Sequence, residues 1–253
     1  MIILHFVSQH LGMVKRIAAI VPAYNEENTI ASVVNDIHAI NDNEFCIDVI
    51  VINDCSQDKT AEIAFRLDCI LLDLPVNLGI GGAVQTGFKY AFEKEYDFAI
   101  QIDGDGQHPP YEIPKLFHSM NNKEMDVVIG SRFIEKKGFN STFIRRLGIF
   151  YFKYILRLYC GINVTDSTSG FRILNRKALA IVSEIYPDEY PEPESIILYS
   201  KHNLKIGEVS VNMRERMGGQ SSIRAFTSLY YMMKVSIAIF FTYFRYRNLK
   251  SKT

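Results

Sequence analysis

The sequence predicts a doubly wound α/β fold, in which helices cover both faces of a mostly parallel sheet. Two observations indicate this fold. Short runs rich in Ile and Val alternate five times with segments whose apolar residues follow helical spacing. Polar residues and glycines follow directly after these runs. Strands that alternate with helices are typical of parallel sheets with right-handed crossovers.

Each predicted strand is a short apolar run, and a helical stretch follows it. The five strands are predicted within RIAAIVPAYNEE, IDVIVINDCSQD, CILLDL, YDFAIQIDGDG and MDVVIGSRF. The helices between them are predicted in residues 28–39, KTAEIAFRL, GGAVQTGFKYAFEK and PPYEIPKLFHSM. After Gly138 the alternation stops. We expect a basic, aromatic helix in FIRRLGIFYFKYILRLYC, a strand in KIGEVSVNMRER and a long amphipathic helix near the C-terminus.

Composition limits the classes of function. The 253 residues, 48% of them apolar, suffice for one sizeable core. The formal net charge is zero, so no overall field predicts a nucleic-acid partner. Four cysteines without CxxC spacing predict a reducing compartment. Residues 1–13 are interpreted as an N-terminal extension, since they lack the features of a signal peptide.

Polar side chains and glycines recur at one predicted rim of the sheet. Ligands of such sheets bind beyond the carboxyl ends of the strands. The residues that follow the five strands are Pro22, Tyr24, Asn25 and Glu26; Asn53, Asp54, Ser56 and Asp58; Asn77, Gly79, Gly81 and Gly82; Asp103 and Asp105; and Ser131 and Arg132. A single strand end of this kind is often a solvated turn, but five together predict a binding site.

The stretch IQIDGDGQHP ends the fourth strand with two carboxylates one residue apart. We expect Asp103 and Asp105 to lie on the same side of an extended chain. Like charges this close repel unless a positive group lies between them, and a divalent metal, a salt bridge or plain solvent are the alternatives. Two hard oxygen donors suit Mg²⁺ or Mn²⁺, and Gln107 adds a neutral oxygen.

The glycine-rich stretch NLGIGGAVQTG matches neither common phosphate-binding motif. No Lys-Ser or Lys-Thr follows it, and the GxGxxG spacing fails at Val84. Two interpretations remain open. The glycines let backbone approach a ligand, or they let a helix pack closely.

Six motifs, in order, resemble those of a known family. They are VPAYNEENTI, VINDCSQDKT, NLGIGGAVQTGF, IQIDGDGQHPP, VIGSRF and STSGFRILNR. The chain resembles the family 2 glycosyltransferases over about residues 16–224, in particular the branch of dolichol-phosphate mannose synthase and bacterial polyprenyl-phosphate glycosyltransferases. The resemblance implies a GT-A fold, a divalent metal and inverting transfer of a sugar from a nucleotide-diphosphate donor.

The resemblance also implies roles for individual residues of the donor site. It assigns Pro22, Ala23, Tyr24 and Glu26 to the nucleoside and Asp54 to the base. It assigns Asp103, with Gly104, to the ribose or the metal, and Asp105 with Gln107 to the metal. It assigns Arg132 and Arg216 to the diphosphate and the sugar, which suits the fork of a guanidinium group.

One motif departs from the mannose-synthase pattern. That pattern ends RxxGxSK, whereas this chain reads Arg216-Met-Gly-Gly-Gln-Ser-Ser222. Serine stands in place of the lysine, and Arg224 is a candidate to replace it. The departure weakens the prediction of a mannose donor.

Glu194 and Asp166 are the candidate acid–base residues beside Asp105. An alcohol acceptor must lose a proton during attack, so a carboxylate base is useful, whereas a phosphate acceptor is already an anion and needs none. Alternative interpretations are structural. Glu194 would cap the positive end of a helix, and Asp166 would anchor a turn.

The last predicted helix is a candidate for membrane contact. The segment from Ala225 to Phe244 contains a single charged residue, Lys234, and is long enough to span a bilayer. Its large apolar residues nevertheless fall on one face: Phe226, Leu229, Tyr230, Met233, Ile237, Phe240, Phe241 and Phe244. This pattern favours a helix lying in the interface, with basic residues 245–252 on anionic headgroups and the segment 143–159 beside it. A core helix or a homo-oligomer contact is the alternative.

We therefore expect a metal-dependent transferase, peripheral on the cytoplasmic face of the membrane, with a polyprenyl-phosphate-type acceptor. Residues 14–222 would form the catalytic domain and residues 223–253 the basic amphipathic helix. The alternatives are a soluble transferase that extends a polysaccharide, a sugar nucleotidyltransferase and a non-catalytic nucleotide-sugar binder. PAYNEEN stands where nucleotidyltransferases carry a Gly-rich loop with Arg and Lys, which argues against that class.

Overall fold

A seven-stranded sheet organises the computed structural model, which describes residues 14–135, 143–214 and 225–246. The strands are β1 (Lys15–Ala23), β2 (Phe45–Asn53), β3 (Ile70–Asp73), β4 (Phe98–Gln101), β5 (Val127–Ser131), β6 (Arg172–Asn175) and β7 (Ile206–Ser210). Several residues to which the sequence analysis gave a role lie outside the described residues: 1–13, Arg216, Ser222, Arg224 and 247–253.

The strand order is β3-β2-β1-β4-β6-β5-β7. Strands β3, β2, β1 and β4 pair in parallel, as do β5 and β7. The predicted mostly parallel sheet is therefore confirmed. Strand β6, which the sequence analysis did not predict, lies antiparallel between β4 and β5. It places Arg172 beside the carboxyl ends of its two neighbours.

Helices cover both faces of the sheet, as expected for a doubly wound fold. Those in the described part of the chain are α1 (Ile30–His38), α2 (Thr60–Phe65), α3 (Gly79–Glu93), α4 (Ile113–Lys123), α5 (Phe143–Cys160), α6 (Arg176–Glu184), α7 (Pro191–Lys201) and α8 (Ala225–Arg245). Alternate residues of β1 and β2 enter two separate cores. Ile20 and Ile52 belong to one core, and Val21 and Val51 to the other.

The glycine-rich stretch packs α3 closely onto the sheet. A Cβ atom added at Gly87 would lie 2.4 Å from Cγ2 of Ile20 and 2.9 Å from Cδ1 of Ile52. Contacts this short exclude a larger side chain unless the helix moves. Close helix packing, one of the two interpretations of this stretch, accounts for Gly87.

Helices α5 and α8 pack together beside α7. The hydroxyl groups of Tyr151 and Ser236 lie 3.0 Å apart, and Val235 and Ile239 face the core. The predicted apolar face of α8 points outward where its side chains are described: Tyr230, Met233, Ile237, Phe240, Phe241 and Phe244 are all exposed. No helix in the described ranges is long and apolar enough to cross a membrane.

Candidate active site

The carboxyl ends of β1 and β4 meet at one edge of the sheet, and Gly104 lies where they touch. A Cβ atom at Gly104 would lie 3.0 Å from the carbonyl oxygen of Pro22 and 3.5 Å from Cγ of Glu26. The loops after β1 and β2 are also joined, since Asn25 N–H donates to Oγ of Ser56 at 3.0 Å. The structure thus brings together three of the predicted strand ends.

The two aspartates lie on a turn and not on an extended strand. Strand β4 ends at Gln101, and Gly106 N–H donates to the carbonyl oxygen of Asp103 at 3.4 Å. Gly106 has a φ of 77°, which favours glycine. The prediction of an extended chain through Asp103 and Asp105 is therefore wrong, because the backbone turns at Gly104 and Asp105, between Asp103 and Gly106.

Asp103 is the more exposed of the two carboxylates. Its Oδ1 accepts a hydrogen bond from Nε2 of Gln101 at 3.1 Å. Its Oδ2 lies 3.5 Å from Nε2 of His108, whose Nδ1 accepts from the Asp103 backbone N–H at 3.0 Å. His108 is buried and stacks on Phe171 at 5.2 Å between ring centroids. The imidazole thus fixes both the backbone and the carboxylate of Asp103.

Asp105 and Gln107 complete an oxygen-rich turn that fits a divalent cation. Asp105 is buried, and its Oδ1 accepts from the Gln107 N–H at 3.0 Å. Among the described residues, the side-chain amide of Gln107 has no hydrogen-bond partner. Carboxylate and amide oxygens are the donors that Mg²⁺ and Mn²⁺ prefer. The placement of Asp103, Asp105 and Gln107 is consistent with the predicted metal site.

The segment 165–171 packs against this turn from the other side. A Cβ atom at Gly170 would lie 2.7 Å from Nε2 of Gln101 and 3.4 Å from Oδ1 of Asp103. Ser169 anchors the segment by donating from Oγ to the carbonyl oxygen of Gly130 at 2.7 Å. The motif STSGF therefore sets the position of the Asp103 carboxylate.

Arg132 and Asp166 form a buried, two-point ion pair. Nε and Nη2 of Arg132 donate to the two carboxylate oxygens of Asp166 at 2.7 and 2.8 Å. Burial alone would lower the pKa of Arg132, but the hydrogen bonds and charge of Asp166 outweigh it and raise that pKa. Asp166 is 0% exposed. Its position argues against the prediction that it is an acceptor-side base, because an acceptor cannot reach the carboxylate while the pair is closed.

Glu194 faces α8, away from the two aspartates. Its Oε2 accepts a hydrogen bond from Oγ1 of Thr242 at 2.6 Å. Burial raises the pKa of Glu194, and the hydrogen bond from Thr242 partly offsets this rise. The negative charges that act on it are those of Glu189 and Asp188. This position argues against Glu194 as a catalytic base and gives it a role in docking α8.

Asp54 holds the start of α3. Its two carboxylate oxygens accept from the backbone N–H groups of Leu78 and Gly79 at 2.6 and 2.9 Å. Negative charge at a helix N-terminus is stabilising. Contact of Asp54 with a nucleotide base stays a prediction, as does contact of Tyr24, whose side chain is exposed at the same edge, with the nucleoside.

We expect Asp54→Ala to lower the free energy of unfolding by about 2 kcal/mol, because two backbone donors lose a charged acceptor. Urea denaturation measures this change. The control is Asp68→Ala, an exposed aspartate with no side-chain hydrogen bond among the described contacts, for which we expect a change below about 0.5 kcal/mol. Equal stability of the two variants would contradict the capping role.

Two charged residues at this edge, Arg172 and Glu192, were not predicted from the sequence. Arg172, on β6, is 2% exposed, and its charge acts on Glu192 in the first turn of α7. The only signal in the sequence is an arginine between apolar Phe171 and Ile173, which is unusual for a solvated side chain. Glu192 carries no such signal, since it is one of several acids in YPDEYPEPES.

Several known proteins are similar to this chain. The UDP-N-acetylglucosamine–dolichyl-phosphate N-acetylglucosaminyltransferase of Methanococcus voltae is 35% identical over 218 residues, which cover 78% of this chain and 85% of that protein. The undecaprenyl-phosphate mannosyltransferase of Micrococcus luteus is 30% identical over 66% of this chain and 69% of its own length.

A solved structure shares the fold. Glucosyl-3-phosphoglycerate synthase from Mycobacterium tuberculosis, crystallised with Mn²⁺, UDP and glucosyl-3-phosphoglycerate, superimposes with a TM-score of 0.69 at 21% identity. The match covers 90% of this chain and 80% of the other. The predicted GT-A type of sheet is therefore confirmed.

The family match covers most of the sheet and the residues of the candidate site. The model described as glycosyl transferase family 2 matches residues 18–181, a range that begins in β1 and ends within α6. It includes Asp54, Asp103, Asp105, Arg132 and Asp166. On this match and the 35% identity to a relative of similar length, the chain belongs to glycosyl transferase family 2.

Proposed function

We propose that this protein transfers a sugar from a nucleotide-diphosphate donor to a polyprenyl phosphate at a membrane surface, with inversion at the anomeric carbon. The observation that carries the donor half is the turn of Asp103 and Asp105 at the end of the central strand β4. Relatives named for transfer to dolichyl phosphate and undecaprenyl phosphate support the acceptor half.

The residues of the site suit departure of a nucleoside diphosphate. Asp103, Asp105 and Gln107 would hold Mg²⁺ or Mn²⁺, which would supply positive charge to the leaving diphosphate. Arg132 lies close enough to Asp103 for their charges to interact. We place its guanidinium group at the edge of the diphosphate site, oriented by Asp166. An arginine held rigidly in this way is preorganised to meet an anion.

The surroundings of the acidic residues favour a phosphate acceptor over an alcohol. Attack by an alcohol needs a base within hydrogen-bond reach, whereas a phosphate oxygen is already anionic. The two carboxylates predicted as bases are engaged elsewhere, Asp166 by Arg132 and Glu194 by Thr242. A phosphate oxygen can attack the anomeric carbon without either of them.

Helices α5 and α8 present a surface suited to an anionic bilayer. Large apolar side chains are exposed on both: Phe150, Tyr151, Tyr154, Leu158, Tyr230, Met233, Ile237, Phe240, Phe241 and Phe244. Neither helix contains an acidic residue, and Arg157, Lys234 and Arg245 are exposed among the apolar side chains. Apolar residues bordered by basic ones are typical of helices that lie in the interface. We propose that this surface lies on the membrane.

We assign the reaction to the cytoplasmic face of that membrane. All four cysteines are free, and Cys46 is exposed, which suits a reducing compartment. Pairing of Cys46 in an oxidised form of the protein would argue for the opposite face.

The experiment combines donor binding with transfer. UDP-, GDP-, CDP- and dTDP-sugars are first compared by thermal stabilisation of the purified protein, with and without Mn²⁺. The donor that binds is then incubated with undecaprenyl phosphate and, separately, with the matching polyprenol. We expect a glycolipid only from the phosphate. Binding of a donor without transfer to any polyprenyl phosphate would overturn the acceptor assignment, and glycosylation of the polyprenol would favour an alcohol acceptor.

We expect the variant Ile237→Ser/Phe241→Ser to bind vesicles of neutral and anionic phospholipid at least about tenfold more weakly, because two exposed apolar anchors are lost. Sedimentation with vesicles measures this. The control is Phe65→Ser, which removes a phenylalanine of α2 that is more exposed than Ile237 or Phe241. Loss of a dimer in gel filtration, with vesicle binding unchanged, would instead assign the surface to a second copy.

A further inference from the structure

The first turn of α7 holds two glutamates with different surroundings. Glu194 is bonded to Thr242 of α8. Glu192, two residues earlier, lies within range of the charges of Arg172, Asp103 and Arg132. A shift of two residues turns a helical side chain by about 200°, so two glutamates so spaced face opposite sides. The structure therefore separates one glutamate that docks a helix from one at the edge with Asp103.

Arg172 fixes the first turn of α7 to the segment that positions Asp103. Its Nη1 donates to Oγ of Ser195 at 2.6 Å, and Ser195 in turn donates to the carbonyl oxygen of Glu192 at 3.1 Å. Nε and Nη2 of Arg172 donate to the carbonyl oxygens of Ser169 and Ser167 at 2.7 and 3.1 Å. One side chain thus joins the segment 165–171 to the start of α7 at the edge of the site.

The hydrogen-bond partners of Arg172 are neutral oxygens, although the side chain is buried. A buried charge is costly unless an opposite charge lies near. The carboxylate of Glu192 supplies such a charge. Burial raises the pKa of Glu192, and attraction to Arg172 partly offsets this rise. Ser195, which accepts the hydrogen bond from Arg172, lies three residues after Glu192 in α7 and so shares a helix face with it, which places Glu192 on the Arg172 side of the helix.

The carboxylate of Glu192 is half-buried and free to accept hydrogen bonds. Within the described parts of the chain, its only hydrogen-bond partner is the backbone of Glu192 itself. Glu194, by contrast, is bonded to Thr242. An acceptor group of this kind beside a ligand site is a natural partner for a ligand's hydroxyl groups.

We propose that Glu192 is a specificity-determining residue that accepts hydrogen bonds from hydroxyl groups of the transferred sugar, and that Arg172 is the positioning residue that holds it there. The proposal rests on the proposed function, since it requires a nucleotide-sugar donor. The chemistry of that donor leaves few alternatives. Its diphosphate and the acceptor phosphate are anions, which a carboxylate repels, whereas the sugar's hydroxyl groups are donors.

The test compares binding of a nucleoside diphosphate with binding of the same nucleotide carrying its sugar. Titration calorimetry with Mn²⁺ gives both dissociation constants, using UDP and UDP-N-acetylglucosamine or whichever matched pair the unmodified protein binds. We expect Glu192→Gln to weaken binding of the nucleotide-sugar on the order of tenfold or more, with the diphosphate affinity unchanged. The amide group replaces two charged acceptor oxygens by one neutral acceptor and a donor, and hydrogen bonds to charged groups are the stronger ones. The matched variant Glu194→Gln is expected to change neither affinity.

Each remaining outcome is decisive. If Glu192→Gln lowered the affinities for both ligands equally, Glu192 would be only a counter-ion of Arg172, and the proposal would be overturned. Selective loss of sugar affinity in Glu194→Gln would return that role to Glu194 and also overturn it. If the unmodified protein bound no nucleoside diphosphate at all, the proposed function itself would fall.

A second variant separates positioning from charge. Arg172→Lys keeps the positive charge but cannot bridge Ser167, Ser169 and Ser195 at once. We expect it to weaken binding of the nucleotide-sugar more than binding of the diphosphate, as we expect for Glu192→Gln. An unchanged ratio of the two affinities in folded Arg172→Lys would refute the positioning role. If Glu192→Gln failed to fold, Glu192→Asp, which withdraws the carboxylate by one methylene, would be measured in its place.

Discussion

Replacing Asp105 by asparagine is expected to abolish sugar transfer while leaving the fold intact. The amide oxygen of the new side chain can still accept the hydrogen bond that Asp105 takes from the Gln107 N–H, so the turn after β4 keeps its shape. The site loses one of two carboxylates for a divalent cation. Since such a cation contributes several kcal/mol to charge stabilisation, we expect the turnover rate to fall on the order of a thousandfold.

The measurement pairs transfer kinetics with thermal unfolding. We expect the melting temperature of Asp105→Asn to stay within about 2 °C of the unmodified protein. We also expect the stabilisation by nucleoside diphosphate to lose its dependence on Mn²⁺. Asp97→Asn is the matched control, because Asp97 precedes the same strand at its opposite end and pairs with exposed Lys15. Full turnover in Asp105→Asn would contradict the assignment of a metal to the donor site.

The sequence predicts this edge of the sheet well because its signals are local. A run such as RIAAIVPA predicts a buried strand without reference to the rest of the chain. In the structure β1 is buried from Ile17 to Ala23. The glycines of DGDGQ mark the end of β4. The amphipathic pattern of α8 likewise predicts one apolar face, and the structure places the described part of that face in solvent.

Other features depend on packing, which local pattern does not contain. Strand β6 has only four residues, and its first and last, Arg172 and Asn175, are polar, so the strand leaves little periodicity to detect. The choice between Glu192 and Glu194 depends on how α7 is rotated about its axis. Arg172 on one side and Thr242 on the other fix that rotation, and both are distant in sequence.

Asp166→Asn is expected to destabilise the protein more than any other single change considered. The asparagine has nearly the same shape, but its amide group would set a donor against the guanidinium group of Arg132, and a buried cation would lose its counter-charge. Breaking a buried ion pair in this way costs about 3–5 kcal/mol. For a chain of this size we expect the melting temperature to fall by roughly 10 °C.

Two further variants separate the charge effect from loss of packing. Glu62→Gln breaks the exposed pair with Arg66 on α2, and we expect it to cost less than about 0.5 kcal/mol because solvent already screens that pair. The double variant Arg132→Met/Asp166→Leu removes both buried charges, and we expect it to recover most of the lost stability but none of the donor affinity. Recovery of donor binding together with stability would show that Arg132 serves the fold alone. A melting temperature for Asp166→Asn equal to that of Glu62→Gln would mean that the pair is open to solvent, and Asp166 would again be a candidate base.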